Sequence, residues 1–291
     1  VASSGPPRVL AGLQDNGSNM LDGGTWSAIN GGDGAECMID PGNSDIIYFS
    51  SQFGNFKRSE NGGRSSHSIR PPERGAWLMP IRMDPANPST IYSAGSMVYV
   101  SSDRGDNWTS ISPVLGSGDM TVLRIAQSDS NVILTTDGLQ LFKTADGGAN
   151  WETLDLGLAP DTYITHMAIH PTNPRHIWVS FGGYGRWNSK FAWNGVPYLT
   201  ERPKVYFSSN GGAAWTDISG QLPSIPVNTM VVDPFTNGLY IGTDMGIFYS
   251  ASGNGDWQRY DNGLPNVIIT ELEVQANTGL LIAATYGRGI W

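Results

Sequence analysis

Ser101-Ser102-Asp103-Arg104-Gly105-Asp106-Asn107-Trp108 shares one eight-residue pattern with Thr144-Ala145-Asp146-Gly147-Gly148-Ala149-Asn150-Trp151 and Ser208-Ser209-Asn210-Gly211-Gly212-Ala213-Ala214-Trp215: Ser/Thr-x-Asp/Asn-x-Gly-x-x-Trp. Two further copies are eroded. One keeps Ser59, Asn61 and Gly63 with Ser66 in place of the Trp, and one keeps Ser250 and Trp257 with Ser252 and Asn254 between them. A remnant survives from Gly23 to Trp26. Measured at the Trp position (26, 66, 108, 151, 215, 257) the steps are 40, 42, 43, 64 and 42 residues, so one unit holds an insertion of about 20 residues. Such a period marks an array of repeats.

Each unit follows the same grammar. Between Met79 and Ser112, a strand through Ile81 and Met83 meets Asp84-Pro85-Ala86-Asn87-Pro88, where the prolines and Asn turn the chain. Strands at Thr90–Ser93 and Met97–Ser101 follow, the eight-residue turn comes next, and Trp108–Ile111 starts a fourth. The first turn recurs at Asp40-Pro41, at His170-Pro171-Thr172-Asn173-Pro174 and at Asp233-Pro234, and more weakly from Ala126 to Asp129. Short runs rich in Ile, Val, Tyr and Thr between Gly, Asn, Asp and Pro leave almost no room for helix. A 40- to 45-residue unit of four short strands is a propeller blade, so the expected fold is an all-β, seven-bladed β-propeller, with a six-bladed ring as the alternative.

Residues 1–291 are expected to form a single propeller domain with an inserted loop at 181–203. The ends fit a segment of a longer chain. The first unit offers strands at Arg8–Leu13, around Asn19 and at Thr25–Ile29 without an innermost strand, and the last offers Ile269–Val274, Leu280–Thr285 and Gly289–Trp291 without a fourth. Two three-stranded blades and five full ones result, with the ring closed by packing of the two incomplete blades or by strands from elsewhere.

Composition narrows the partners. A formal charge of −9 argues against a nucleic-acid backbone or an anionic membrane surface. No apolar run approaches the ~20 residues of a membrane span, and no stretch reads as a signal peptide. The 37 Gly and 18 Pro reflect turns, since they alternate with apolar strands. Cys37 is the one cysteine, on an innermost strand, where a buried inert thiol is expected. His67, His166, His170 and His176 lack metal-ligand spacing, and His170 stands where other turns have Asp. No metal, cofactor, phosphate loop or Ser-His-Asp context is expected.

Several stretches resemble the second propeller of tandem-propeller Asp-box proteins. They are the repeated turns, Gly12-Leu13-Gln14-Asp15-Asn16-Gly17-Ser18, Gly31-Gly32-Asp33-Gly34, Gly242-Thr243-Asp244-Met245-Gly246 and Ala284-Thr285-Tyr286-Gly287-Arg288-Gly289. That group includes the xyloglucan-cleaving glycoside hydrolases, with sortilin-type receptors more distant. The resemblance covers essentially the whole chain and implies an extracytoplasmic location. In the hydrolases one Asp from each propeller inverts the anomeric centre across the cleft between them, which suits two carboxylates about 6.5–9.5 Å apart. Asp33 falls at the place of the second-propeller Asp, although Ala35-Glu36-Cys37 lacks the aromatic and His associated with those enzymes. The competing role for Asp33 is to anchor the channel by bonding backbone amides of neighbouring blades.

The Asp-box residues Asp103, Trp108, Asp146, Trp151, Asn210, Trp215 and Trp257 read as structural. The Asp or Asn accepts backbone N–H bonds of its own turn, the Gly takes a conformation that Cβ disfavours, and the Trp packs into the blade. Ligands of a propeller meet the opposite face, made by the loops from second to third strand and from fourth strand to next blade. Those loops carry Gln14, Asp15 and Asn16; Asp33 and Glu36; Gln52, Phe53 and Asn55; Arg74 and Trp77; Asp137; Tyr184, Arg186 and Trp187; Asp244; Tyr286 and Arg288. Rings for pyranose faces, with amides and acids for hydroxyls, make a sugar site there the leading candidate, and the 181–203 insertion adds aromatics and Arg for sugar or protein contact. A sialidase would need three arginines, a Tyr nucleophile and a Glu beside it. Arg74, Arg186, Arg288 and Tyr286 are present but nothing in the sequence assembles them.

The sequence therefore points to an extracytoplasmic binding or assembly module for a carbohydrate or for another protein or propeller domain. The second-propeller half of an inverting endoglucanase, with Asp33 as one acid, is the alternative, and a sialidase-like enzyme a lesser one.

Overall fold

A computed structural model describes residues 8–157, 162–183, 203–260, 263–275 and 277–291. Among them the one helical element is a 3-10 turn at Gln52–Gly54. Among the described residues twenty-six strands form seven antiparallel sheets, five of four strands and two of three, so the fold is a seven-bladed β-propeller, not a six-bladed one.

The chain divides into two compact units, residues 1–153 and 154–291. The first opens with the three-stranded sheet β1 (Val9–Leu13), β2 (Gly17–Asp22) and β3 (Thr25–Asn30). Next come β4 (Gly34–Ile39), β5 (Ile47–Ser51), β6 (Asn55–Ser59) and β7 (His67–Ser68). The third blade is β8 (Ile81–Met83), β9 (Ile91–Ala94), β10 (Val98–Ser101) and β11 (Thr109–Ser110). The fourth is β12 (Val122–Ala126), β13 (Asp129–Thr136), β14 (Leu141–Thr144) and β15 (Glu152–Leu154), whose last residue opens the second unit.

The second unit continues with β16 (Ile164–His170), β17 (Asn173–Phe181), β18 (Val205–Ser208) and β19 (Thr216–Asp217). The sixth blade is β20 (Val227–Val232), β21 (Leu239–Thr243), β22 (Gly246–Ser250) and β23 (Gln258–Tyr260). The seventh has three strands, β24 (Ile269–Val274), β25 (Leu281–Thr285) and β26 (Gly289–Ile290).

Packing of blade on blade sets the residue pattern. Second strands lose the apolar–polar alternation of a half-exposed sheet: Ile47-Tyr48-Phe49-Ser50 and Ile91-Tyr92-Ser93-Ala94 are buried throughout. Outermost strands β7, β11 and β19 are exposed throughout and polar. The core accordingly lies in layers between blades. Tyr48, Phe56 and Ile69 of the second blade pack with Ile81 and Ile91 of the third, and Trp178 and Val205 of the fifth with Met230 and Ile241 of the sixth. Cys37 is half-buried in the layer between the first two blades rather than fully buried.

The eight-residue turns show how one local motif joins two blades. In the third blade the Ser101 hydroxyl donates to Asp103 Oδ1 (2.7 Å) and accepts from the Gly105 N–H (2.7 Å), while the Asn107 N–H donates to Asp103 Oδ1 (2.8 Å). The same set recurs around Thr144 and Asp146, Ser208 and Asn210, and Ser59 and Asn61. These bonds, that from the Asn107 side chain first, hold the Asp103 carboxyl down at about 2, and Asn150 does the same for Asp146. In the sixth blade the carboxylate comes from Asp256, which accepts from both Ser250 and Ser252.

The Trp does more than pack within its own blade. Trp108 Nε1–H donates to the Ile69 carbonyl (2.9 Å), Trp151 to Ile111 (2.8 Å) and Trp257 to Ile218 (2.7 Å), each acceptor lying just after the outermost strand of the preceding blade. Trp215 Nε1 is buried without a partner among the described residues. The box glycines seat against the same residues. At Gly105 (φ +95°) a Cβ would lie 2.9 Å from Ile69, and at Gly148 (φ +101°) 2.6 Å from the Ile111 carbonyl. Where Ser66 replaces the Trp, Arg8 takes over the link between the first two blades, bonding the Ser44 carbonyl (2.9 Å) and Asp22 (2.6 Å).

Candidate functional site

In the first unit, antiparallel pairing puts the second-to-third and fourth-to-next loops at the end of the strands opposite the Asp-box turns. Three of these loops converge. The β1–β2 turn closes with the Asn16 N–H on the Leu13 carbonyl (3.2 Å) and holds Asp15 at φ +63°. From there the Asp15 N–H donates to Asp33 Oδ1 (2.9 Å), between β3 and β4. The other oxygen, Asp33 Oδ2, accepts from Gln52 Nε2 (3.1 Å), at the start of the β5–β6 loop. Asp33 thus ties together loops of two blades through one backbone amide and one side-chain amide. One of the two donors is a backbone amide, as an anchoring role would use, and the other is a glutamine side chain.

The β5–β6 loop continues into an aromatic platform. Phe53 sits at φ 62°, ψ 32°, a conformation that costs a non-glycine residue about 1 kcal/mol or more and that persists only where its surroundings enforce it. Its N–H donates to the Trp77 carbonyl (3.1 Å), its ring meets the Trp77 ring edge-on (centroids 5.1 Å, 75°), and the Arg74 guanidinium lies 4.7 Å over its centroid. Gly54 and Gly75 let the two loops close on buried Met79: a Cβ would come 2.3 Å from its sulfur at Gly54 and 2.8 Å at Gly75. Trp77 remains 46% exposed, so it presents ring surface to solvent.

Asp15, Asp33, Gln52, Arg74 and Trp77 are therefore joined in one bonded and stacked series, while Gln14 and Asn16 are exposed neighbours in the first of its loops. Glu36 is taken up by Arg82 on the next innermost strand (2.5 Å), and Asp137 caps its own loop by accepting the Leu139 and Gln140 N–H groups (2.9 and 2.8 Å). In the second unit, Asp244 accepts from Asn228 Nδ2 (2.9 Å), Tyr286 is 75% exposed and Arg288 is exposed. Tyr184, Arg186 and Trp187, with most of the 181–203 insertion, lie outside the described residues. Sequence reasoning missed the left-handed Phe53 as the centre of the platform. The sequence placed Phe53 in the loop-face set, and the Gly54 that follows it was the available signal of a tight turn.

Among the described residues no group of three or more His, Cys, Asp or Glu could hold a metal ion, and no helix is long and apolar enough to cross a membrane.

Fold and turns define this chain as a seven-bladed β-propeller whose blades repeat one side-chain-closed turn. The family model described as Sortilin, neurotensin receptor 3 (Sortilin-Vps10) matches residues 96–200. A xyloglucanase from Hypocrea jecorina (strain QM6a) is 27% identical over 253 residues, which are 82% of this chain and 27% of that protein, so the chain spans about a quarter of the curated relative's length. Among solved structures, the GH74 xyloglucanase from Xanthomonas campestris aligns with TM-score 0.74 at 16% identity, over 100% of this chain and 50% of that one. YCF48, solved bound to D1 peptide, aligns with TM-score 0.61 at 12% identity, over 99% of this chain and 81% of that one. The chain thus resembles the propellers of xyloglucanases, and its match to the sortilin model covers about a third of its length.

Proposed function

We propose that this propeller is an extracytoplasmic carbohydrate-binding module whose ligand lies along the loop face of the first unit. The observation that carries this reading is the half-exposed Trp77 ring braced edge-on by Phe53, whose own ring lies under the Arg74 guanidinium, beside the Asp33–Gln52–Asp15 set. An aromatic face takes the C–H surface of a pyranose, and adjoining amides and carboxylates take its hydroxyls. Phe53, locked by its backbone and two ring contacts, loses little freedom on binding, which favours affinity. The likeness to xyloglucanases supports a β-glucan chain as the ligand.

A second reading is supported by the same relative: the chain is one half of an inverting glycoside hydrolase, and Asp33 is one of its two carboxylates. A protein partner on this face is the third. Leu13, Leu78, Val114 and Leu139 are exposed on its loops, a composition suited to protein contact, and YCF48 is a propeller that binds a peptide.

Calorimetric titration with β-glucan and xyloglucan oligosaccharides, run beside a reducing-sugar assay, separates the three. Binding abolished by Trp77→Ala without cleavage supports the module. Cleavage lost in Asp33→Ala establishes the hydrolase, and no response to any glycan by the natural full-length protein refutes both sugar readings.

A further inference from the structure

The second unit carries a pocket of about 330 Å³ at the end of the strands that bears the Asp-box turns, between the fifth and sixth blades. That volume sits at the lower end of the ~300–1,000 Å³ of small-molecule sites. Its floor is a closed circuit of four rings. His170 meets His176 edge-on (5.6 Å), His176 meets Phe207 edge-on (5.4 Å), Phe207 lies tilted on Trp178 (5.1 Å), and Trp178 stacks back on His170 (6.2 Å, 27°). Trp178 is buried and fixed by its indole N–H, which donates to the Gly253 carbonyl (2.9 Å) in the β22–β23 turn.

The chemistry of the pocket is uncharged. His170 does two jobs with its two nitrogens: Nδ1 accepts the Thr172 N–H (3.2 Å), as Asp does in the equivalent turns, and this puts the proton of the neutral ring on Nε2. Burial first, and then neighbouring His176, hold the ring below the usual histidine value and so keep it neutral near pH 7. The rim is made of exposed amides and hydroxyls, with Asn237 supplied by the β20–β21 turn and Asn254 by the β22–β23 turn. Among the described residues that line it, none is an Asp, Glu, Lys or Arg. An organic cation would find rings but no counter-charge, and a carboxylate or phosphate would find no cation.

We propose that this pocket binds one neutral pyranose residue, the half-buried His170, His176 and Phe207 rings, backed by buried Trp178, taking its apolar face and the Asn237 and Asn254 side chains its hydroxyls. The site is separate from the loop-face platform, belongs to the other compact unit, and would give the protein a second point of attachment to a glycan.

NMR tests this on the whole chain, following the His170 and His176 ring signals and the Trp178 indole during titration with methyl β-D-glucopyranoside, methyl β-D-galactopyranoside and methyl α-D-mannopyranoside. Saturable shifts of these signals with at least one glycoside are expected. Asn254→Ala and Asn237→Gly, both exposed and the second compatible with the φ of +61° at that position, are each expected to weaken binding about fivefold, the worth of one neutral hydrogen bond. Three results would overturn the proposal: silence of the ring signals with every glycoside, equal shifts with tetramethylammonium chloride or sodium acetate, or indifference to both substitutions. A response confined to the Trp77 indole also counts against this pocket, and it leaves the loop-face reading intact.

Discussion

Replacing Gly148 with alanine tests whether the Asp-box glycines seat one blade against the next. Two costs fall on this substitution. The left-handed φ of +101° penalises any side chain by roughly 1–2 kcal/mol, and the new Cβ would lie 2.6 Å from the Ile111 carbonyl and 2.8 Å from its Cβ. Backbone gives way poorly, so overpacking adds about 1–3 kcal/mol, for a total of roughly 2–5 kcal/mol. Gly24 is the internal control: its φ is +81° and an added methyl would have nothing within 4 Å, so alanine there costs only the conformational ~1–2 kcal/mol. At a urea slope of about 3 kcal/mol per M, the midpoint is expected to fall by roughly 0.7–1.7 M for Gly148→Ala and by about 0.3–0.7 M for Gly24→Ala, with unchanged slopes. Equal midpoints for the two variants would refute the close approach between blades, leaving the box glycine with a purely local role.

The indole bonds make a second contrast. Trp151→Phe removes the bond to the Ile111 carbonyl and is expected to cost about 1 kcal/mol beyond lost packing, whereas Trp215→Phe removes a buried N–H that has no partner among the described residues and should be milder by that amount in the same unfolding experiment. Acid stability follows from the box carboxylates. Asp103 and Asp146 drop from 3.8 unfolded to about 2 folded, so their contribution is complete above about pH 4 and is lost as pH falls from about 4 to about 2. Asp103→Asn with Asp146→Asn, which copy the amide used at Asn61 and Asn210, should flatten the fall of the urea midpoint across that window, and an unchanged pH profile would count against the turn bonds. His170 acts at higher pH. Its folded value is lowered, so the neutral form is favoured by folding and stability is lost as pH falls through 6.5, a loss that His170→Asn should reduce.

Much of this architecture is written locally. The Asp-box and Asp-Pro turns are closed by side chains two to four residues from the groups they bond, so Ser101, Asp103 and Gly105, or Asp84 with the Ala86 and Asn87 N–H groups, could be read from spacing alone. With both turns located, the strands between them and the count of blades followed. What escaped was contact at one repeat's distance. Trp108 reaches Ile69, 39 residues back, and the signal for it was the apolar residue three positions after each box Trp, as in Ile111, Leu154 and Ile218. Asp256 also escaped, because its carboxylate enters the turn from six residues after Ser250 instead of two. At the loop face the residue types were legible and the assembly was not. Gln52, Asp33 and Asp15 lie in three separate loops, and only the packing of blades decides that they bond to one another.

Binding at the loop-face platform is the central claim, and the Trp77 indole N–H resonance reports on it directly. Titrating the labelled protein with a xyloglucan oligosaccharide should move that resonance saturably, with the same midpoint that calorimetry gives, and Trp77→Ala should abolish the heat. A glycan that binds by calorimetry while the Trp77 signal stays still, or a panel of β-glucans that leaves both measurements silent, would contradict the account.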